Sequence, residues 1–114
     1  MQVAIDSNYE QIVKESFQNG PLGILISKSE NKSLLEDLLK EASAVGIETM
    51  VFFMDDAINL LKDFDWINSL PSGDYSGCDL SAQRRGIEAP EKINMAGQYH
   101  NAVMMHECSH IVSM

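Results

Sequence analysis

Ile47-Glu48-Thr49-Met50-Val51-Phe52-Phe53-Met54 is the stretch that decides the fold. It is nearly continuous in apolar side chains and lacks the polar alternation of a strand with one wet face. Such a strand belongs to a sheet covered by helices on both faces, which is the habit of parallel sheets. Upstream, Leu34, Leu35, Leu38, Leu39, Ala42 and Val45 recur as one stripe of an amphipathic helix. Ser33 and Glu36 stand at capping-box spacing, and Gly46 follows as its stop. Before that helix, Leu22 to Ile26 reads as a compact strand ending in the polar run Ser27 to Asn31. Asn19-Gly20-Pro21 breaks the chain ahead of it. Met1 to Ile5 reads as a further short strand, and Tyr9, Ile12, Val13 and Phe17 recur at helical spacing.

Downstream, a second helix is expected from about Asp56, then a turn at Leu70-Pro71-Ser72-Gly73. Asp74 to Cys78 is a weak strand, its β propensity lowered by Ser76 and Gly77. A helix over Leu80 to Arg85 follows, stopped by Gly86 and later Pro90. Ile93 to Met95 reads as a short strand, Tyr99, Ala102, Val103 and His106 as a helical face, and Ile111 to Met114 as the last strand. This alternation predicts an α/β domain with a mainly parallel sheet. Such sheets bind ligands at the carboxyl ends of their strands, where Ser27, Asp55 and Cys78 fall. Asp55-Asp56 is read as a helix cap with favourable dipole charge.

A chain of 114 residues, 45% hydrophobic, is enough for one domain and one core, with 1–20 as an extra N-terminal element. No apolar run reaches the roughly 18 residues that a membrane span requires. No charged-then-apolar leader opens the sequence, so a cytoplasmic location is expected. Cys78 and Cys108 form no C-x-x-C pair and fit a reducing compartment. The formal net charge of -9 disfavours nucleic acid and anionic membrane as partners.

The run Gly77-Cys78-Asp79-Leu80-Ser81-Ala82-Gln83-Arg84-Arg85-Gly86-Ile87 carries the chemistry. It places a thiol where a strand ends and a helix begins. Unpaired helix N–H groups and guanidinium charge both favour thiolate, the nucleophilic form. Arg84 and Arg85 are therefore candidate electrostatic support, while Asp79 works in the opposite sense. The plain alternative is a buried structural cysteine.

Cys-x6-Arg-Gly-Ile, Cys78 to Ile87, resembles the segment around the active cysteine of the DsrE/TusD-like sulfur-relay family. Met50 to Leu61 is similar to that family's second strand and following turn, and His106 to Met114 resembles its closing helix and last strand. Coverage runs from Pro21 to Met114. The resemblance implies a three-layer α/β/α fold with about five strands, and homo- or hetero-oligomers. It also implies that Cys78 accepts sulfane sulfur from a donor protein and passes it to an acceptor. No cofactor and no metal enter this expectation. Cys108 is read as core packing.

His106-Glu107-Cys108-Ser109-His110 also fits H-E-x-x-H, the helical zinc motif of hydrolases. If a strand begins at His110, the two imidazoles lose their common helix face. The sequence thus leaves a sulfur carrier at Cys78 as the leading expectation. A non-catalytic oligomeric binding protein on the same fold is the alternative, and a zinc hydrolase through His106 and His110 is the distant one.

Overall fold

A computed structural model describes residues 20–114. The expected strand Met1 to Ile5 and the helical recurrence Tyr9 to Phe17 lie outside the described residues. Five strands form one all-parallel sheet: β1 (Leu22–Ile26), β2 (Thr49–Phe53), β3 (Asp74–Cys78), β4 (Asn94–Ala96) and β5 (His110–Ser113), in the order β4-β3-β2-β1-β5. The helices between them are α1 (Lys32–Ala44), α2 (Phe64–Ser69), α3 (Asp79–Arg85) and α4 (Gln98–His106). Short 3-10 segments, Ser29–Asn31 and Asp55–Lys62, precede α1 and α2.

Strand order dictates the layers. From β1 to β4 the chain steps one way across the sheet, so right-handed crossovers put α1, α2 and α3 on one face. Its last step returns to the far side of β1, and the same handedness puts α4 on the opposite face. Packing follows suit. Ile24, Ile26, Val51, Phe53 and Tyr75 meet Leu35, Leu39, Ile58, Leu61, Ile67 and Ala82 in the larger core. Phe52 and Cys78, pointing the other way, meet Met104 and Met105 of α4 in a smaller one. The three-layer α/β/α arrangement is thereby formed, and the apolar run of β2 feeds both layers.

Local chemistry accounts for most boundaries. Gly46 ends α1 at φ 77, with Ile47 N–H returning to Ala42 O at 2.9 Å; Gly86 ends α3 at φ 62, with Ile87 N–H returning to Ala82 O at 3.0 Å. Both stops need a left-handed residue, which glycine adopts without strain.

Several expectations are corrected. Asn31 is the N-cap of α1 and Ser33 lies inside the helix, so the capping box does not form. Glu36 instead accepts from Trp66 Nε1 and Lys40 Nζ, both at 2.8 Å, tying α1 to α2. Leu34 is 55% exposed and falls outside the buried stripe, because that stripe runs through Leu35, Leu39 and Ala42. The helix expected from Asp56 is a 3-10 segment followed by a separate α2, whose N-cap Asp63 accepts from Trp66 N–H at 3.0 Å. On α4 the face expected to pack is the open one. Tyr99 is 85% exposed while Met104 and Met105 are buried, since tertiary packing and not spacing chose the face.

Candidate functional site

Cys78 is both the last residue of β3 and the N-cap of α3, so no loop separates strand from helix. Its side chain points to the α4 face and packs with Phe52, Met104 and Met105, at 4% exposure. Burial alone pushes the thiol pKa up. Nearby donors, the Ser81 hydroxyl and N–H ahead of the Gln98 amide and Leu80 N–H, outweigh burial and leave it below the ordinary value, although of these only the Gln98 amide sits in hydrogen-bond geometry with the sulfur. The two N–H groups belong to the first turn of α3, where no intrahelical carbonyl is available to them. Gln98, the first residue of α4, brings Nε2 to 3.7 Å from Cys78 Sγ.

Behind these donors stands a supporting network. Ser81 is buried, and its Oγ accepts from Asp55 N–H at 3.1 Å. That leaves the hydroxyl proton free to point at the sulfur. Asp55 reaches this position in a left-handed conformation, φ 48, tolerated better by Asp than by most residues. Asn101 Nδ2 donates to Gln98 Oε1 at 3.2 Å, one helical turn along α4, and so orients the amide. Asn101 Oδ1 is buried without a hydrogen-bond partner, a cost of about 1–3 kcal/mol that the fold carries to keep this side chain here. Further back, Ser76 Oγ and His100 Nε2 are 3.3 Å apart between β3 and α4.

Of the strand-end residues singled out by sequence, Asp55 joins Cys78 through Ser81. Ser27 does not, because its Oγ faces Met114 O at 3.5 Å on the β5 side. Asp56 serves the neighbouring loop: its carboxylate accepts from Ser29 Oγ at 2.6 Å and Ser29 N–H at 2.9 Å, which holds its pKa down. Arg84 and Arg85 are exposed in the last turn of α3, and Arg85 donates to Ser81 O at 3.2 Å. Arg85 thus braces the helix that carries Ser81. Asp79 is exposed at the first position of α3. An open recess beside α3 is lined by Asp79, Ala82, Gln83, Gly86, Ile87 and Met95.

Sequence reading missed Ser81, Gln98 and Asn101. A signal for Ser81 was present, since Cys78-x-x-Ser81 has the spacing at which an N-cap meets the third helical residue. Gln98 and Asn101 carried no local signal, because α4 reaches Cys78 only through the β3–β4 pairing of Cys78 with Ala96. The H-E-x-x-H geometry is not formed: His106 closes α4, whereas His110 opens β5. Among the described residues no group of three His, Cys, Asp or Glu side chains gathers, and no helix is long and apolar enough to cross a membrane. No family model, curated protein or solved structure matches the chain.

Proposed function

We propose that the protein is a sulfur carrier that holds sulfane sulfur as a persulfide on Cys78. The observation that supports this reading is a thiol set at a strand's carboxyl end and a helix N-terminus, with the Gln98 amide 3.7 Å from its sulfur; nearby donors hold its pKa down against the pull of burial. The Cys78 thiolate attacks the outer sulfur of a donor protein's persulfide. A sulfur–sulfur bond forms at Cys78, the donor's sulfur–sulfur bond breaks, and the donor cysteine leaves as thiolate. An acceptor nucleophile then takes that outer sulfur, and Cys78 leaves as thiolate. No net oxidation occurs. The donors that stabilise the thiolate also stabilise it as leaving group in the second step. Cys108 follows α4, whose opposite end carries the Gln98 amide beside Cys78, and both cysteines are free.

Donor and acceptor proteins are the partners in this scheme, acting on a protein in the cytoplasm. Docking must uncover Cys78, and Gln98, exposed at the start of α4, is the lid-side residue that has to give way. A homo-oligomer fits the same reading, because β4 and β5 are the edge strands of the sheet among the described residues and Ile111 on β5 is exposed. The 4% exposure of Cys78 favours the second reading, a non-catalytic oligomeric binding protein on the same fold in which Cys78 is core.

Intact mass after anaerobic incubation with a protein persulfide donor separates the two. The carrier gains one sulfur, and Cys78→Ser gains none. Absence of an adduct under conditions that load an established carrier assigns the chain to the binding class.

A further inference from the structure

Away from Cys78, three sulfur atoms converge over one residue of β1. Gly23 is buried, and the place where a Cβ would stand lies 2.7 Å from Cys108 Sγ and 3.1 Å from Met105 Sδ. Met50 Sδ is 3.8 Å from the same Cys108 Sγ. The register explains the convergence. Gly23 pairs with Met50 on β2, so the Met50 side chain stands beside the gap on the α4 face of the sheet. Met105 descends from the last turn of α4, and Cys108 closes the turn that follows, its N–H bonded to Met105 O at 3.1 Å. Three separate segments thus bring one thiol and two thioethers together over Gly23, where the sulfurs of Cys108 and Met105 fill the place a side chain would take.

The donor set selects its ligand. Thiolate and thioether sulfurs are soft and favour copper(I) over hard divalent ions, which prefer oxygen. Charge decides in the same direction. One thiolate and two neutral thioethers neutralise a monovalent cation and would leave a divalent one with excess charge in a half-buried site. Two sulfurs bound at about 2.3 Å to one first-row ion in trigonal or tetrahedral geometry stand close to 4 Å apart, as Cys108 and Met50 do. Met50 also lines an open hollow with Pro21, Glu48, Thr49, Ser72, Gly73 and Asp74, so one of the three sulfur-bearing side chains reaches a solvent-open recess.

We propose that Cys108, Met50 and Met105 form a copper(I) site. The Cys108 S–H bond breaks, an S–Cu bond forms, the proton goes to solvent, and neither metal nor sulfur changes oxidation state. Cys108 lies past the end of α4 opposite Gln98, while Met105 also belongs to the small core around Cys78; the site stands whether or not Cys78 carries sulfur.

The test is an anaerobic titration of the purified full chain with copper(I) against the chromogenic chelator bicinchoninate. Wild type should remove one copper(I) per chain from the chelator, and Cys78→Ser should do the same. Affinity should fall about a hundredfold in Cys108→Ser and about tenfold in Met50→Leu and in Met105→Leu, which keep the side-chain volume. X-ray absorption should show an all-sulfur shell. Failure of wild type to compete, or binding lost in Cys78→Ser and kept in Cys108→Ser, overturns the site. If Cys108→Ser does not fold, unchanged affinity in both methionine variants overturns it equally.

Discussion

A thiol pulled upward by burial and downward by donors reports their balance through its reaction rate. In a Cys108→Ser background, alkylation of Cys78 by iodoacetamide should show a midpoint below that of an unperturbed thiol measured alongside it. Ser81→Ala removes the hydroxyl that does most to lower the pKa, so the midpoint should rise and the rate at neutral pH should fall several-fold. A midpoint unmoved by Ser81→Ala would deny the hydroxyl its role. The same balance acts on stability. A depressed folded pKa stabilises above the unfolded thiol's value, and the contribution vanishes as pH falls through the folded one. The stability gap between wild type and Cys78→Ser should therefore shift in the alkaline range and stay level below it. Tyr75 works in the opposite direction. Burial pushes its pKa to about 12, so its contribution is complete below about 10 and is lost as pH rises through 12. Tyr75→Phe should flatten that alkaline decline in a urea-midpoint series, while losing the bond from Tyr75 Oη to Pro71 O at 2.6 Å.

At the scale of elements, the helix stops carry the most direct prediction. Gly86→Ala forces a Cβ into the left-handed region and should cost about 1 kcal/mol, read as a lower chemical-denaturation midpoint. Nothing stands within 4 Å of a Cβ at Gly86, so the loss is conformational and steric repacking adds nothing. Because Gly86 ends the helix that holds Ser81, the same variant should also slow Cys78 alkylation. Gly23→Ala differs in kind. Its Cβ would meet Cys108 Sγ at 2.7 Å, so the cost is packing against sulfur and not backbone strain.

For the whole molecule, the two cores are unequal because three helices cover one face of the sheet and α4 alone covers the other among the described residues. Ile58→Ala, in the larger core and fully buried, should cost about 2–5 kcal/mol by thermal or denaturant unfolding. Phe52→Ala in the smaller core should cost a similar amount and, in addition, loosen the packing over Cys78. Faster Cys78 alkylation in Phe52→Ala than in Ile58→Ala, compared at equal stability loss, is the expected sign that the α4 layer gates the thiol. Equal rates would place the gate elsewhere.

Short-range chemistry made much of this structure legible in the chain itself. The apolar run of β2, the glycine stops at Gly46 and Gly86, and the weak strand ending at Cys78 all act within a few residues, where propensity and sterics decide. Their alternation was enough for a parallel sheet under helices, and for a thiol at a strand's carboxyl end. What sequence could not carry was any choice made between distant residues. The buried face of α4, the replacement of a capping box by the Glu36–Trp66 bond, and the amide of Gln98 at Cys78 each depend on which strand lies beside which. So does the meeting of Met50, Met105 and Cys108 over Gly23. Local pattern sets an element because its energies are summed along the chain. A site is set by tertiary structure because its contacts are made across the sheet, where separation in sequence no longer measures separation in space.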